Sequence, residues 1–180
     1  MNEKLVFNAS MEGLVEAVRV EISPRCRLRM KAVGFDPDAK LLPAYPAEQW
    51  AGVVKILCEE IYPGLAAAEA QRRLAIRTVE KFAQSMIGAA MFTVATLLGP
   101  DRTVRRMTRN FRTGSNFIET TCIEVAPHTF DISFNDCSGV AGFYGGLLEG
   151  GFLRVGAKAL TVNLFVENPP GALFRVNWAA

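Results

Sequence analysis

The sequence is poor in the side chains that most often carry chemistry. Its 180 residues include one histidine, His128, and four cysteines without a C-x-x-C pair. A structural zinc site needs four clustered ligands. Serine- or cysteine-based catalysis would have to use a histidine that follows Pro127 in a predicted hairpin turn. We therefore predict no catalytic residue, no metal site and no cofactor, and we expect the cysteines to act as small buried hydrophobic residues.

An excess of charge of one sign is also missing. Twenty basic residues face eighteen acidic ones, for a formal net charge of +2. No global field would draw such a chain to nucleic acid, and the composition disfavours that partner. The N-terminal residues lack the basic start, apolar run and cleavage site of a signal peptide, which favours the cytoplasm. The length, without a long linker, favours a single domain over residues 1–180.

One segment, residues 82–99, contains no charged side chain and reaches the lower length limit for a membrane span. Polar residues and glycines dilute it, and a charged helical pattern precedes it. We therefore expect a buried core helix rather than a span. Gly88 is a candidate point of division, and Gly99-Pro100 is a helix stop. Four side chains of the segment are candidates for lining an apolar pocket: Phe82, Met86, Met91 and Phe92.

Hydrophobic periodicity divides the chain into two halves of different character. Helical patterns dominate residues 11–112, and β-type runs follow at 116–124 and 129–134. A helical segment at 140–155 then precedes two further β-type runs, 160–166 and 172–178, which a Pro-Pro-Gly turn joins. The sequence therefore predicts an α+β fold, an N-terminal helical half followed by β-β-α-β-β, with helices packed on a mainly antiparallel sheet.

Arginines at helical spacing form the most unusual pattern. Their planar guanidinium groups bind phosphate and carboxylate through paired hydrogen bonds. The segment 101–112 thus predicts an anion-binding face formed by Arg102, Arg105, Arg106, Arg109 and Arg112. The alternative is a solvated face, or a set of ion pairs with carboxylates such as Glu119 and Glu149.

Glycines recur every four positions in the segment 139–151. Gly142, Gly146 and Gly150 would form a groove along one side of a helix. Each glycine costs a helix about 1 kcal/mol relative to alanine, so a close backbone approach should compensate. The groove could pack on the sheet or, alternatively, form a helix contact in a homodimer.

One polar cluster is the first place to look for enzymatic chemistry. Arg112, Asn116 and Glu119 follow the predicted arginine helix at short spacing. Convergence of these side chains in a pocket would be needed for catalysis.

Several stretches resemble a paralogous family that is expanded in myxobacteria and has no assigned function. The matching pieces are LLPAYPAEQW, YPGL, AQRRLAIRTVEKFAQSMIGAAM, LLGPDRTVRRMTRNFRTGSNFIET, GLLEGG and FRVNW, of which RNFRTGSNF is the most specific. The resemblance implies no catalytic residue. It places these positions in the family pattern: Tyr45, Arg109, Arg112, Gly114, Asn116, Glu149 and Trp178.

The order of elements in the second half also resembles the vinyl-reductase-type ligand-binding domain and the subunits of trafficking complexes. That resemblance implies an apolar pocket between helices and sheet. Some of these relatives bind zinc through cysteines, and the present sequence departs from that pattern.

Three functions remain open on the sequence. The favoured one is a non-catalytic regulatory or sensory module, expected to be a homodimer, that holds a small apolar ligand or a protein partner. The second is an anion-binding module that takes nucleotide or nucleic acid through the arginine face. The third is an enzyme of unknown class.

Overall fold

A computed structural model describes residues 3–179, and the side chains of residues 107–110 and 167 lie outside that description. The six α-helices of the described chain are α1 (Asn8–Glu16), α2 (Pro24–Ala32), α3 (Ala47–Ile61), α4 (Ala67–Gln84), α5 (Met86–Asn110) and α6 (Ala141–Arg154). Its strands are β1 (Leu5–Phe7), β2 (Ala44–Pro46), β3 (Thr120–Ala126), β4 (Thr129–Phe134), β5 (Lys158–Asn168) and β6 (Gly171–Ala179). Short 3₁₀ turns cover Arg19–Glu21 and Phe111–Thr113.

The larger sheet has the strand order β3-β4-β6-β5, with every neighbouring pair antiparallel. Alternation explains its two faces, since Phe130, Ile132 and Phe134 of β4 are buried while the residues between them are partly exposed. Helix α6 covers the buried face, where Phe152 stacks on Trp178 of β6 with ring centroids 5.2 Å apart. The predicted α+β fold with helices on an antiparallel sheet is confirmed.

A second, two-stranded sheet joins β1 to β2 and ties the start of the chain to its middle. Val6 also forms an isolated bridge to Ser115, just after α5. One continuous hydrophobic core runs from these strands through α1, α3 and α4 to the larger sheet. Cys26, Cys58 and Cys137 are buried within this core. Burial raises the pKa of the Cys58 thiol to about 12, so this side chain remains neutral.

The uncharged segment does not form the buried core helix that its composition predicts. The helix ends at Gln84 and a new one begins at Met86, because Ser85 is extended and its hydroxyl caps the N–H of Gly88 at 3.0 Å. Gly88 permits this turn, since a Cβ there would lie 1.9 Å from the Phe82 carbonyl oxygen. Helix α5 therefore turns away from the core. It exposes Met86, Ile87, Val94 and Leu97.

No single helix among the described residues is long and apolar enough to cross a membrane. The consecutive helical segments Ala67–Gln84 and Met86–Arg106 reach that length and composition only when taken together, and they are bent by 98° relative to each other.

A second irregularity of α5 occurs at Gly99, whose positive φ of 75° precedes Pro100 inside the helix.

Candidate functional site

A cavity of about 360 Å³ lies between α1, α4, α5 and α6. Its walls are mostly apolar, and Ser10, Thr78, Thr103 and Thr113 are the polar side chains among the described lining residues. Phe82 and Met91 stand at its margin, 39% and 45% exposed. The apolar lining comprises Ala9, Gly13, Val79, Phe82, Met91, Phe92, Ala95, Phe111, Gly114, Leu147, Gly151 and Val155.

Three of the four residues predicted to line an apolar pocket are found there. Phe82 and Phe92 meet edge to face across the bend between α4 and α5, with ring centroids 6.3 Å apart, and Met91 lies beside them. Met86 does not line the cavity. It is 88% exposed, because the break at Ser85 places it at the outer end of α5.

A smaller cavity of about 110 Å³ adjoins the first and shares five lining residues with it: Ser10, Thr78, Phe111, Gly114 and Leu147. We call the two the inner and outer cavities. The inner cavity has an aromatic wall, where Trp50 of α3 meets Phe143 and Tyr144 of α6 at centroid distances of 5.4 and 6.1 Å. Periodicity places Trp50 on the apolar face of its helix, and nothing in the sequence distinguishes a cavity wall from a filled core.

The polar atoms of the inner cavity differ in how they are satisfied. The Ser10 hydroxyl donates to the Gly114 carbonyl at 3.3 Å, and the Thr78 hydroxyl donates to the Leu74 carbonyl at 2.9 Å. The Trp50 indole is buried, and its Nε1 atom has no hydrogen-bond partner among the described residues. Burial raises the pKa of the Tyr144 phenol far above its usual value, so this wall is uncharged.

The glycine groove sets the distance between two walls of the outer cavity. A Cβ on Gly146 would lie 2.3 Å from the Arg72 carbonyl oxygen of α4, and one on Gly142 would lie 2.5 Å from that of Ala68. Gly150 faces Val79 in the same way at 3.1 Å. The predicted close packing therefore exists between α6 and α4 of one chain. Helix α4 occupies the groove that the sequence offered to the sheet or to a homodimer contact, and homodimer formation stays a prediction.

The described members of the arginine face, Arg102, Arg105, Arg106 and Arg112, line neither cavity. Arg105 pairs with Glu124 of β3 and lies 5.5 Å from the Phe130 ring, and Arg112 donates to Glu119 at 3.2 Å. Arg102 and Arg106 are exposed, and the Arg109 side chain lies outside the described residues. Glu149, which the sequence offers as a partner for the arginine face, instead accepts a hydrogen bond from Arg72 at 2.6 Å. Anion binding through this face stays a prediction.

The proposed polar cluster is divided by the fold. The Asn116 amide accepts from the Leu5 N–H at 2.8 Å and donates to the Glu3 carbonyl at 2.9 Å. It therefore completes the edge of β1, while Arg112 and Glu119 form a separate exposed ion pair. These three side chains do not meet in a pocket.

The single histidine lies in the turn between β3 and β4, as the sequence predicts. His128 has a positive φ of 56°, and its Nδ1 atom is 3.1 Å from the Asp101 carboxylate. It lines neither cavity. Among the residues that the structure describes, no three His, Cys, Asp or Glu side chains are grouped as metal ligands would be.

Comparison with solved structures shows similarity to H-NOX domains. A Cs H-NOX mutant carrying 4-cyano-L-phenylalanine matches with a TM-score of 0.72 and 13% identity, over 97% of both chains. A structure described as "Probing the function of heme distortion in the H-NOX family" matches with a TM-score of 0.63 and 13% identity, over 95% of this chain and 94% of the other. An oxygen binding H-NOX domain related to soluble guanylate cyclases, as an oxygen complex, gives 0.60 and 12%, over 96% and 92%.

These matches show the fold alone, because sequence identities of 12–13% are too low to transfer the role of any residue. No curated protein matches the sequence. A family model described as "Protein of unknown function (DUF2378)" matches residues 4–179, which agrees with the resemblance seen in the sequence to a family without an assigned function. The chain belongs to the DUF2378 family.

Proposed function

We propose that the chain is a non-catalytic sensory or regulatory module that holds a small apolar or amphipathic ligand in its outer cavity. The observation that carries the proposal is the cavity itself, at about 360 Å³ and lined mainly by apolar side chains. Small-molecule sites typically measure about 300–1,000 Å³ and combine an apolar lining with a few polar groups. The similarity of the fold to H-NOX domains, one of which is described as oxygen binding, supports a ligand-binding role.

Heme, the group named for one of the similar H-NOX structures, does not fit the residues of this cavity. Proteins hold heme iron through His, Cys, Tyr, or Met paired with His. Met91 is the only side chain of these types among the described residues that line the outer cavity. His128, in the β3–β4 turn, contacts Asp101 of α5 and does not line the outer cavity. The proposed ligand is therefore an organic molecule held by apolar contact.

Filling the cavity tests the proposal. Gly151 of α6 lines the outer cavity, and a Cβ placed on it meets nothing within 4 Å. Gly151→Leu would thus occupy ligand space without a backbone clash, and it removes a helix glycine that costs about 1 kcal/mol. Ala90→Leu, on the exposed side of α5, is the matched control because Ala90 lines neither cavity.

The readout is fluorescence titration with the neutral dye N-phenyl-1-naphthylamine, whose emission brightens in apolar surroundings. We expect wild type and Ala90→Leu to bind the dye alike, and Gly151→Leu to bind it at least about tenfold more weakly. Such a loss corresponds to about 1.4 kcal/mol. Equal dye binding by all three proteins, with native unfolding curves, would overturn the proposal for this cavity.

A further inference from the structure

A third cavity, of about 320 Å³, lies at the turn between α3 and α4, and its described lining residues differ from those of the inner and outer cavities. Gln71 of α4 lines it and is 7% exposed, and its side chain forms no hydrogen bond with the described residues. The sealed polar atoms without a partner in the described chain are Asn8 Oδ1, Trp50 Nε1 and Thr120 Oγ1, so the Gln71 amide keeps contact with solvent. The amide therefore faces the cavity that Gln71 lines.

A cation without a partner lies close to this amide. Lys55 of α3 lines the same cavity, and its ammonium group forms no ion pair in the described part of the chain. The Lys55 Nζ atom is 3.6 Å from the position that a Cβ would take on Gly139, and Gln71 Oε1 is 3.0 Å from the corresponding position on Gly142. Both polar groups therefore contact the same short segment, at the start of α6.

The N-termini of α4 and α6 lie together at this end of the fold. Successive groove glycines meet successively later residues of α4: Gly142 meets Ala68, Gly146 meets Arg72 and Gly150 meets Val79. The two helices therefore run parallel. Each helix N-terminus carries a partial charge of about +0.5 elementary charge, and parallel packing places both charges beside Lys55 and Gln71.

Helix α4 also offers hydrogen-bond donors. In the described chain no side chain caps the first turn of α4 or of α6. The first backbone hydrogen bond of α4 runs from the Ala70 N–H to the Ala66 carbonyl at 3.0 Å, so the N–H groups of residues 67–69 have no partner within the helix. Ala67 lines the third cavity.

The carboxylates near this end do not neutralise it, because each is paired with a basic side chain of the fold. Glu59 pairs with Arg29, Glu69 with Arg72 and Arg73, and Asp136 with Lys4. The charge of Lys55 and of the two helix N-termini therefore remains available to an anion.

We infer that the third cavity binds the phosphate group of a small molecule through the Lys55 ammonium, the Gln71 amide and the N–H groups at the start of α4. Helix N-termini bind phosphate and other anions through such N–H groups. A phosphate group has three strong acceptor oxygens, which suits this number of donors better than the two oxygens of a carboxylate. The site is separate from the outer cavity, so its failure would leave the proposed function untouched.

Titration of the protein with inorganic phosphate, followed by ¹H–¹⁵N NMR, tests the inference. Acetate and the neutral acetamide are the comparison probes, at about pH 7 and at one ionic strength set with sodium chloride, because exposed charges are screened by salt. We expect phosphate to give saturable shifts of the Gln71 side-chain NH₂ and Ala67 N–H signals. Acetate should bind more weakly, and acetamide should give no saturable shift.

Two lysine variants separate the site from general charge attraction. Lys55→Gln should weaken phosphate binding at least about tenfold, since it removes a charged hydrogen-bond donor. Lys40→Gln is the matched control, because it makes the same change in net charge at an exposed lysine that lines none of the three cavities. It should bind phosphate as wild type does.

Gln71→Leu tests the amide. We expect phosphate to bind about 3- to 10-fold more weakly. The urea midpoint should stay equal or rise, because the amide has no partner in the described chain to lose. A structural role for Gln71 would instead lower the midpoint and leave phosphate binding as in wild type, and that result would overturn the inference.

Three other results would also overturn it. They are equal losses of phosphate affinity in Lys55→Gln and Lys40→Gln, acetate or acetamide binding as tightly as phosphate, and the lack of any saturable shift at Gln71 and Ala67 in wild type. Dye binding in the outer cavity is measured separately on the same wild-type protein, so each proposal stands or fails by its own experiment.

Discussion

Replacing Gly146 by alanine should destabilise the chain, although alanine is the better helix former. The added methyl group would lie 2.3 Å from the Arg72 carbonyl oxygen and 2.7 Å from the Ala75 Cβ. The nearest contacting atom belongs to the backbone, so α6 and α4 must move apart. Overpacking of this kind costs about 1–3 kcal/mol, and the gain in helix propensity returns about 1 kcal/mol. The contact with backbone places the cost in the upper part of that range, about 2–3 kcal/mol, so we expect a net loss of about 1–2 kcal/mol.

Gly151 provides the matched control within the same helix. A Cβ there meets nothing within 4 Å, so Gly151→Ala should gain about 0.5–1 kcal/mol from propensity alone. The two variants make the same chemical change and should move the urea midpoint in opposite directions at constant m-value. In thermal unfolding, each 1 kcal/mol corresponds to a shift of about 2–4 °C for a chain of this size. If Gly146→Ala were as stable as wild type, the close α4–α6 contact would be refuted.

Three further predictions concern polar contacts. Asn116→Ala removes the hydrogen bonds to Leu5 and Glu3 and should lower the free energy of unfolding in urea by about 1–2 kcal/mol. Asn116→Asp keeps the acceptor for the Leu5 N–H and should cost less, so equal losses in the two variants would contradict these hydrogen bonds. Hydrogen bonds from Arg72 and Arg73 lower the pKa of Glu69 to about 2, so its contribution to the free energy of unfolding is present above pH 4.5 and is lost as the pH falls to about 2. Because the side chain is partly exposed, Glu69→Gln should remove at most about 1 kcal/mol of this pH-dependent stability. A variant whose stability varies with pH as in wild type would count against the prediction. Arg105→Gln breaks the ion pair with Glu124 and should lower the free energy of unfolding by at most about 1 kcal/mol, and by less at high salt. Arg102→Gln should change it by only about 0.3 kcal/mol, and a larger loss from Arg102→Gln than from Arg105→Gln would be inconsistent with the structure.

The fold was accessible from sequence wherever one physical signal dominated. Alternation in β4 and β6 follows from burial on one face, and the glycine-proline turn signals mark the ends of strands. The order of helices and strands in the second half follows from these patterns. The fold class was therefore predictable without any homologue.

The site was less accessible, because it depends on how elements meet. An uncharged run at residues 82–99 has the composition of a core helix, and only the cap formed by Ser85 and the close approach allowed at Gly88 turn it outward. The structure places Phe82, Met91 and Phe92 at the outer cavity and Met86 beyond the break, a separation that composition cannot show.

The partner of the glycine groove also lay beyond sequence reasoning. The recurrence of Gly142, Gly146 and Gly150 requires a close neighbour, and α4, the sheet or a second chain would satisfy that requirement equally well. The ion pair between Glu149 and Arg72 shows the same limit, because the sequence allows either Glu119 or Glu149 to pair with the arginine face. The residue pattern along one helix shows that a close neighbour or an opposite charge is required, and only the tertiary structure shows which element provides it.

Methyl NMR of the protein titrated with 2-decanone tests the central claim most directly. The account predicts saturable shifts in the methyl signals of cavity residues Val79, Leu147 and Val155, with those of the exposed Val20 and Leu42, which line neither cavity, unchanged. Shifts confined to exposed methyl groups such as those of Ile87 and Leu97 on α5, or no saturable shift at all, would contradict ligand binding in the cavity.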